Sequence, residues 1–201
     1  MTTSAPPKSS FARRVYNPLG FTKAYNFILY FIFAGALLGF TLARLQYLNF
    51  NIFCPISAGG QGAAPGECYY YRNFDWYKVG IYLHLGGVLP ACLIAVLQFT
   101  PFIRYKAILV HRIGGYTALL LYTVGTIGAF MIARRAFGGG LDVQAWVGTV
   151  GTGTMVCFVL AIVNIKRLQI EQHRAWMLRG WFYVCFPLHC SDSLLSRTDM
   201  T

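Results

Sequence analysis

Along the chain, long apolar runs alternate with short polar connections. Four runs, residues 25–42, 79–99, 113–132 and 145–165, contain no Lys, Arg, Asp or Glu. Each is close to the ~20 residues that a helix needs to cross a ~30 Å hydrocarbon layer. A helix buried in a water-soluble protein rarely runs so far without a charge. A fifth run, 175–188, has only fourteen residues, contains Arg179 and carries Pro187 near its end. That is too short for a comfortable span. The expected fold is an all-α membrane protein, a bundle of four transmembrane helices plus a short, incomplete fifth.

The remaining stretches set the domain limits. Residues 1–23, with Pro6, Pro7 and several Ser and Thr, read as a disordered cytoplasmic tail. Residues 24–188 form the transmembrane helical domain, with an outer loop over 46–78. Residues 189–201 are polar and aperiodic and read as an irregular C-terminal tail. The ending of the fifth run resembles a truncated or alternatively spliced form more than a helix that stops part-way. The first run is too long for the core of a signal peptide, and Thr41-Leu42-Ala43 is a poor cleavage site. An uncleaved signal anchor is expected.

Composition agrees with the pattern: 56% of residues are hydrophobic and 11% charged, against about a quarter charged in soluble domains. The net charge of +11 would suggest nucleic acid in a soluble protein. Threading the four spans from a cytoplasmic N-terminus changes that reading. Lys8, Arg13, Arg14, Lys23, Arg104, Lys106, Arg112, Lys166, Arg167, Arg174 and Arg179 then lie inside. Arg44, Arg72, Lys78, Arg134, Arg135 and Arg197 lie outside or in the tail. Eleven against six is the bias that orients membrane proteins, so no nucleic-acid partner is expected and the lipid bilayer is.

The outer loop holds Cys54 and Cys68, either a disulfide in an oxidising compartment or two free thiols. The aromatics Tyr69, Tyr70, Tyr71, Trp76 and Tyr77 resemble an interfacial belt more than a ligand-stacking box. Gly35 and Gly39 in the first run, and Gly148, Gly151 and Gly153 in the fourth, suit close helix packing.

Candidate chemistry rests on the histidines. His84 lies five residues into the second run, ~8 Å below the outer surface. His111 precedes the third run and His173 the fifth, so both stand at the inner face. Two imidazoles from different helices at one level are what a bis-histidine haem b requires. His111 and His173 would be the iron ligands, with Arg112 and Arg174 neutralising propionates. Histidine and arginine are also common anchors at the ends of spans, and that reading stays open. A buried His84 is costly in lipid and faces the bundle interior or a cavity. A structural hydrogen bond is its default role, and a second haem, a proton relay or a quinone contact are the alternatives. His189 is sixteen residues beyond His173 and, with Pro187 between them, is not taken as a ligand. No catalytic residue is assigned, since no hydrolase, nucleotide-binding, zinc-protease or C-x-x-C motif occurs.

His84 followed by Gln98-Phe99-x-Pro101 and Arg104, then His111-Arg112-x-x-Gly115, then the run from His173 to Arg179 (His-Arg-Ala-Trp-Met-Leu-Arg), resembles a predicted membrane protein family. This is domain of unknown function 2306, found in bacteria and fungi. The likeness covers about half the chain, residues 84–179. It implies a multi-helix membrane fold and, through a distant likeness to membrane cytochromes b and ferric reductases, a haem role by analogy. Two departures stand out. Tyr116 replaces a second basic residue of the family, and the segment after Arg179 does not continue as a full span.

Two functions follow as expectations. One is a membrane redox protein that passes electrons from haem b to a quinone, a metal or a lipophilic substrate. The other is a non-catalytic accessory protein, a partner of another membrane protein or of a fungal metabolite gene cluster. A transporter fits poorly, because no inverted repeat or paired broken helices are seen.

Overall fold

The structure, a computed structural model, describes residues 15, 17–55, 62–64 and 66–198, with side chains as far as Cys185. Most of the expected N-terminal tail, the side chain of His189 and residues 199–201 lie outside the described residues. Every described regular element is helical. The long helices are α1 (Ala24–Arg44), α4 (Asp75–Gln98), α6 (Ile108–Ile132), α7 (Leu141–Lys166) and α8 (Ile170–Thr198). Short helices α2 (Phe50–Phe53), α3 (Glu67–Asn73) and α5 (Pro101–Lys106) lie in the connections. Four helices, over Ala24–Leu48, Asp75–Gln98, Ile108–Ile132 and Leu141–Lys166, are long and apolar enough to cross a membrane.

Their outward faces carry Phe31, Leu120 and Val159, which are 67%, 66% and 54% exposed. Such a surface needs lipid against it. A helix satisfies its backbone groups within itself, which is why it can stand there. Lipid tails are as apolar as the side chains, so packing, not dehydration, must hold the helices together. The α4/α6 hairpin shows how. At Gly87 an added Cβ would lie 2.5 Å from the Leu121 carbonyl oxygen and 2.6 Å from the Gly125 nitrogen, and at Gly128 it would lie 2.5 Å from the Gly80 oxygen. The two backbones touch directly. Gly35, Gly39, Gly148 and Gly153, expected to serve this purpose, meet nothing within 4 Å among the described residues. Small residues permit close approach but do not select which helix approaches.

Helices α7 and α8 form a second hairpin through a turn at Leu168, which has φ 60°. The two hairpins meet at Tyr122, Phe158 and Trp181, with ring centroids 5.4 to 5.8 Å apart. Leu37 of α1, Cys92 of α4 and Val184 of α8 complete this core. The fifth helix differs from expectation: its backbone continues through Pro187 to Thr198, where an irregular tail from 189 was anticipated. An interior proline removes one backbone donor and crowds the carbonyl one turn earlier, yet the backbone stays helical through it here, as it does at Pro90 within α4.

At one end of the bundle the outer loop is fastened. Cys54 and Cys68 are disulfide-bonded, and the Arg72 guanidinium donates to the Cys54 carbonyl. The Glu67 carboxylate accepts from the amides of Ala64 at 2.9 Å and Phe137 at 2.5 Å. It is buried, and burial pushes its pKa above the usual carboxylate value despite those two donors. Arg135 stacks on Tyr70, 4.3 Å from the ring centre. These contacts tie the 46–78 loop to the α6–α7 connection.

Candidate functional site

The histidines separate into two places. His84 sits nine residues into α4, about 14 Å along its axis from the disulfide end. Its Nδ1 lies 2.9 Å from the Gly125 carbonyl oxygen of α6. A carbonyl can only accept, so Nδ1 carries the proton, and in the neutral ring Nε2 keeps its lone pair. Contact at that depth is possible because Gly125 and Gly128 bring α6 against the backbone of His84.

His111 is in the first turn of α6, fourteen residues before Gly125 and so about 21 Å away along the helix. His173 is in the first turn of α8. Both therefore occupy the end of the bundle opposite the disulfide. His173 and Arg104 lie within electrostatic range of His111. His173 places Nδ1 2.9 Å from the Ala161 carbonyl oxygen of α7, which again leaves Nε2 as the nitrogen with the free lone pair. His111 instead has a buried Nδ1 with no partner among the described residues. The two rings belong to different hairpins, His111 to α4/α6 and His173 to α7/α8.

The arginines following these histidines are both exposed. Arg174 is held by Glu171 one turn earlier, at 2.9 Å. That leaves Arg112 as the neighbouring cation less committed to a carboxylate. Two residues near the pair carry no role in the sequence reading. Arg104, half-buried, comes from α5 and reaches His111 electrostatically. Gln98, the last residue of α4, has a buried Oε1 without a partner, and its amide nitrogen lies against Gly114, one turn beyond His111. The available signal was an amide side chain at the end of an apolar span, three residues before Pro101.

The donors decide what such a site can hold. Among the described residues no three His, Cys, Asp or Glu side chains converge as a metal-binding group. Zinc and carboxylate-bridged metal pairs need three or more protein ligands of those types. A pair of imidazoles matches the two axial positions of haem iron. The His173–carbonyl hydrogen bond fits too, because a ligating histidine commonly donates its other N–H to such an acceptor. The donor set is thus compatible with haem b, which His111 and His173 would ligate. A separate cleft, lined by Trp76, Tyr77, Ile127, Phe130, Met131 and Arg134, opens at the disulfide end and is remote from the pair.

Residues 81–189 match a family described as "Predicted membrane protein (DUF2306)". Among curated proteins, the chain is similar to "Ava biosynthesis cluster protein G" of Aspergillus versicolor. The two are 26% identical over 180 residues, which cover 78% of this chain and 52% of the relative. The chain therefore spans about half the length of the curated relative it matches. No solved structure is similar.

Proposed function

The chain belongs to the DUF2306 family of predicted membrane proteins, and from that premise we propose that it is a membrane redox protein holding haem b between His111 and His173. The observation that carries the reading is that the two imidazoles, from different hairpins, lie at one end of the bundle within electrostatic range of each other, with His173 already oriented by the Ala161 carbonyl. When bound, haem b supplies one-electron chemistry. The chain's own residues bind and orient: His173, its Nδ1 held by the Ala161 carbonyl, would ligate through Nε2, and Arg112 offers positive charge at the polar boundary. The pair faces the cytoplasm if the excess of basic residues at that end orients the chain. A quinone, a metal or a lipophilic substrate would accept the electrons.

The test is a reduced-minus-oxidised absorption spectrum of the purified protein made with haem supplied. A Soret and α-band difference is expected, lost in His111→Ala and in His173→Ala and kept in His84→Ala. A flat difference spectrum refutes the reading. Loss of signal in His84→Ala alone would move the site to the other end of the bundle.

A second reading is favoured by the name of the relative, a biosynthesis cluster protein. On this reading the chain is a non-catalytic membrane partner of biosynthetic enzymes, and its histidines only join helices. His84 and His173 are both bonded to carbonyls of neighbouring helices, which suits that role. A flat spectrum, with lowered thermal stability in both histidine-to-alanine variants, would support it.

A further inference from the structure

We infer that Gln98 is the positioning residue for His111, its Oε1 accepting the proton that His111 carries on Nδ1. The hydrogen bond stands on the packing alone; only its redox consequence rests on the haem reading above. The other two described histidines within the helices show the pattern. His84 and His173 each use Nδ1 to hold a carbonyl oxygen of an adjacent helix, at 2.9 Å in both cases. His111 has the same atom buried but without such a carbonyl.

Gln98 has the complementary deficit, a buried Oε1 lacking a donor. A buried polar atom without a partner costs about 1–3 kcal/mol. The two atoms lie at the same end of the α4/α6 hairpin. Gly114 stands one turn after His111 on the same face of α6, and the Gln98 amide nitrogen rests where a Cβ of residue 114 would be. Ile94, one turn before Gln98, also reaches within 3.6 Å of that position, so this face of α4 is seated on α6. The terminal torsion of glutamine is broad. Rotation about it exchanges the places of Oε1 and Nε2 without moving either helix, and on this inference it turns Oε1 to the imidazole. Both unpartnered atoms are then satisfied, and Nε2 of His111 is left with its lone pair.

The test uses the full chain in lipid nanodiscs, labelled with 15N-histidine and observed without haem. His111→Ala assigns the His111 signals. In the parent protein His111 is expected as the Nδ1–H tautomer. Gln98→Leu should shift the tautomer ratio toward Nε2–H by roughly tenfold, the equilibrium weight of one hydrogen bond. Gln98→Glu, which keeps an acceptor, should restore the parent ratio. Unchanged His84 and His173 signals report that each variant is folded. Gln98→Met, closer to glutamine in shape, replaces Gln98→Leu if the latter misfolds. An unchanged His111 ratio in a folded Leu or Met variant overturns the inference. So does a parent protein that already carries the proton on Nε2. The readout needs no haem, so a flat absorption spectrum would sink the proposed function and leave this inference intact. In haem-loaded protein, Gln98→Leu should raise the midpoint potential and Gln98→Glu should lower it, since a hydrogen bond at Nδ1 makes the ring a stronger donor.

Discussion

Substituting Gly128 by alanine tests whether direct backbone contact holds the α4/α6 hairpin. The new Cβ would lie 2.5 Å from the Gly80 oxygen and from the His84 nitrogen, and 3.0 Å from the His84 Cα. All three are backbone atoms, so no side chain can swing away. Reaching an ordinary contact of 3.4 Å requires the helices to part by about 0.9 Å, a gap that forfeits up to half of each dispersion contact along the seam. The same movement stretches the His84–Gly125 hydrogen bond from 2.9 Å to about 3.8 Å, beyond useful range. Overpacking costs about 1–3 kcal/mol, and the lost hydrogen bond adds about 0.6–1 kcal/mol in a membrane. Better helix propensity returns about 1 kcal/mol. The net expectation is destabilisation by about 2 kcal/mol, or a fall in Tm of roughly 4–8 °C for a chain of this size. Thermal unfolding in detergent, followed by circular dichroism, measures it. Gly153→Ala is the control, because nothing described lies within 4 Å of the added atom, and it should melt no lower than the parent, gaining about 1 kcal/mol from helix propensity. If Gly128→Ala melts with the parent, or Gly153→Ala falls as far, the contact is not what holds the hairpin.

Three further outcomes are expected. Burial raises the pKa of Glu67 above the ordinary carboxylate value of 4.5. Between that value and the higher folded one, the folded state holds a proton the unfolded state has lost, so loop stability falls as pH rises through the window. Hydrogen exchange at the Ala64 and Phe137 amides should quicken, relative to intrinsic rates, from pH 4 upward. Glu67→Gln should flatten that trend, and an opposite slope would contradict it. Paired substitution of Cys54 and Cys68 by serine frees a loop closed over a separation of 14 residues. It should lower stability by about 3 kcal/mol, seen as a lower Tm and faster proteolysis of the loop; equal Tm values would count against a structural role. Arg135→Met removes the charge over Tyr70 and its hydrogen bond at 3.3 Å. It should cost about 0.5–2 kcal/mol, measured by the same melting assay, and an unchanged Tm would show the stack to be idle.

How much of this was legible in advance depends on the length scale of the physics. Charge-free runs near twenty residues specify membrane helices because lipid forbids unsatisfied backbone and isolated charge. That holds for 25–42, 79–99, 113–132 and 145–165 wherever they pack, and the four spans follow from composition alone. The levels of His84, His111 and His173 also follow, since rise per residue and alternate threading place each one. Partnership does not. Gly35 and Gly39 look as suited to close packing as Gly125 and Gly128, yet only the second pair is in contact, because which helices touch depends on the connections and on the fit of whole faces. Cys54 and Cys68 left a disulfide and free thiols equally open until the loop brought them together. Gln98 acquired meaning only when Gly114 let its amide reach the turn that carries His111. Local hydrophobicity and helix geometry determined the elements and their depth in the bilayer. Contacts between residues distant along the chain, unreadable without the packing that creates them, decided which carbonyls hold His84 and His173.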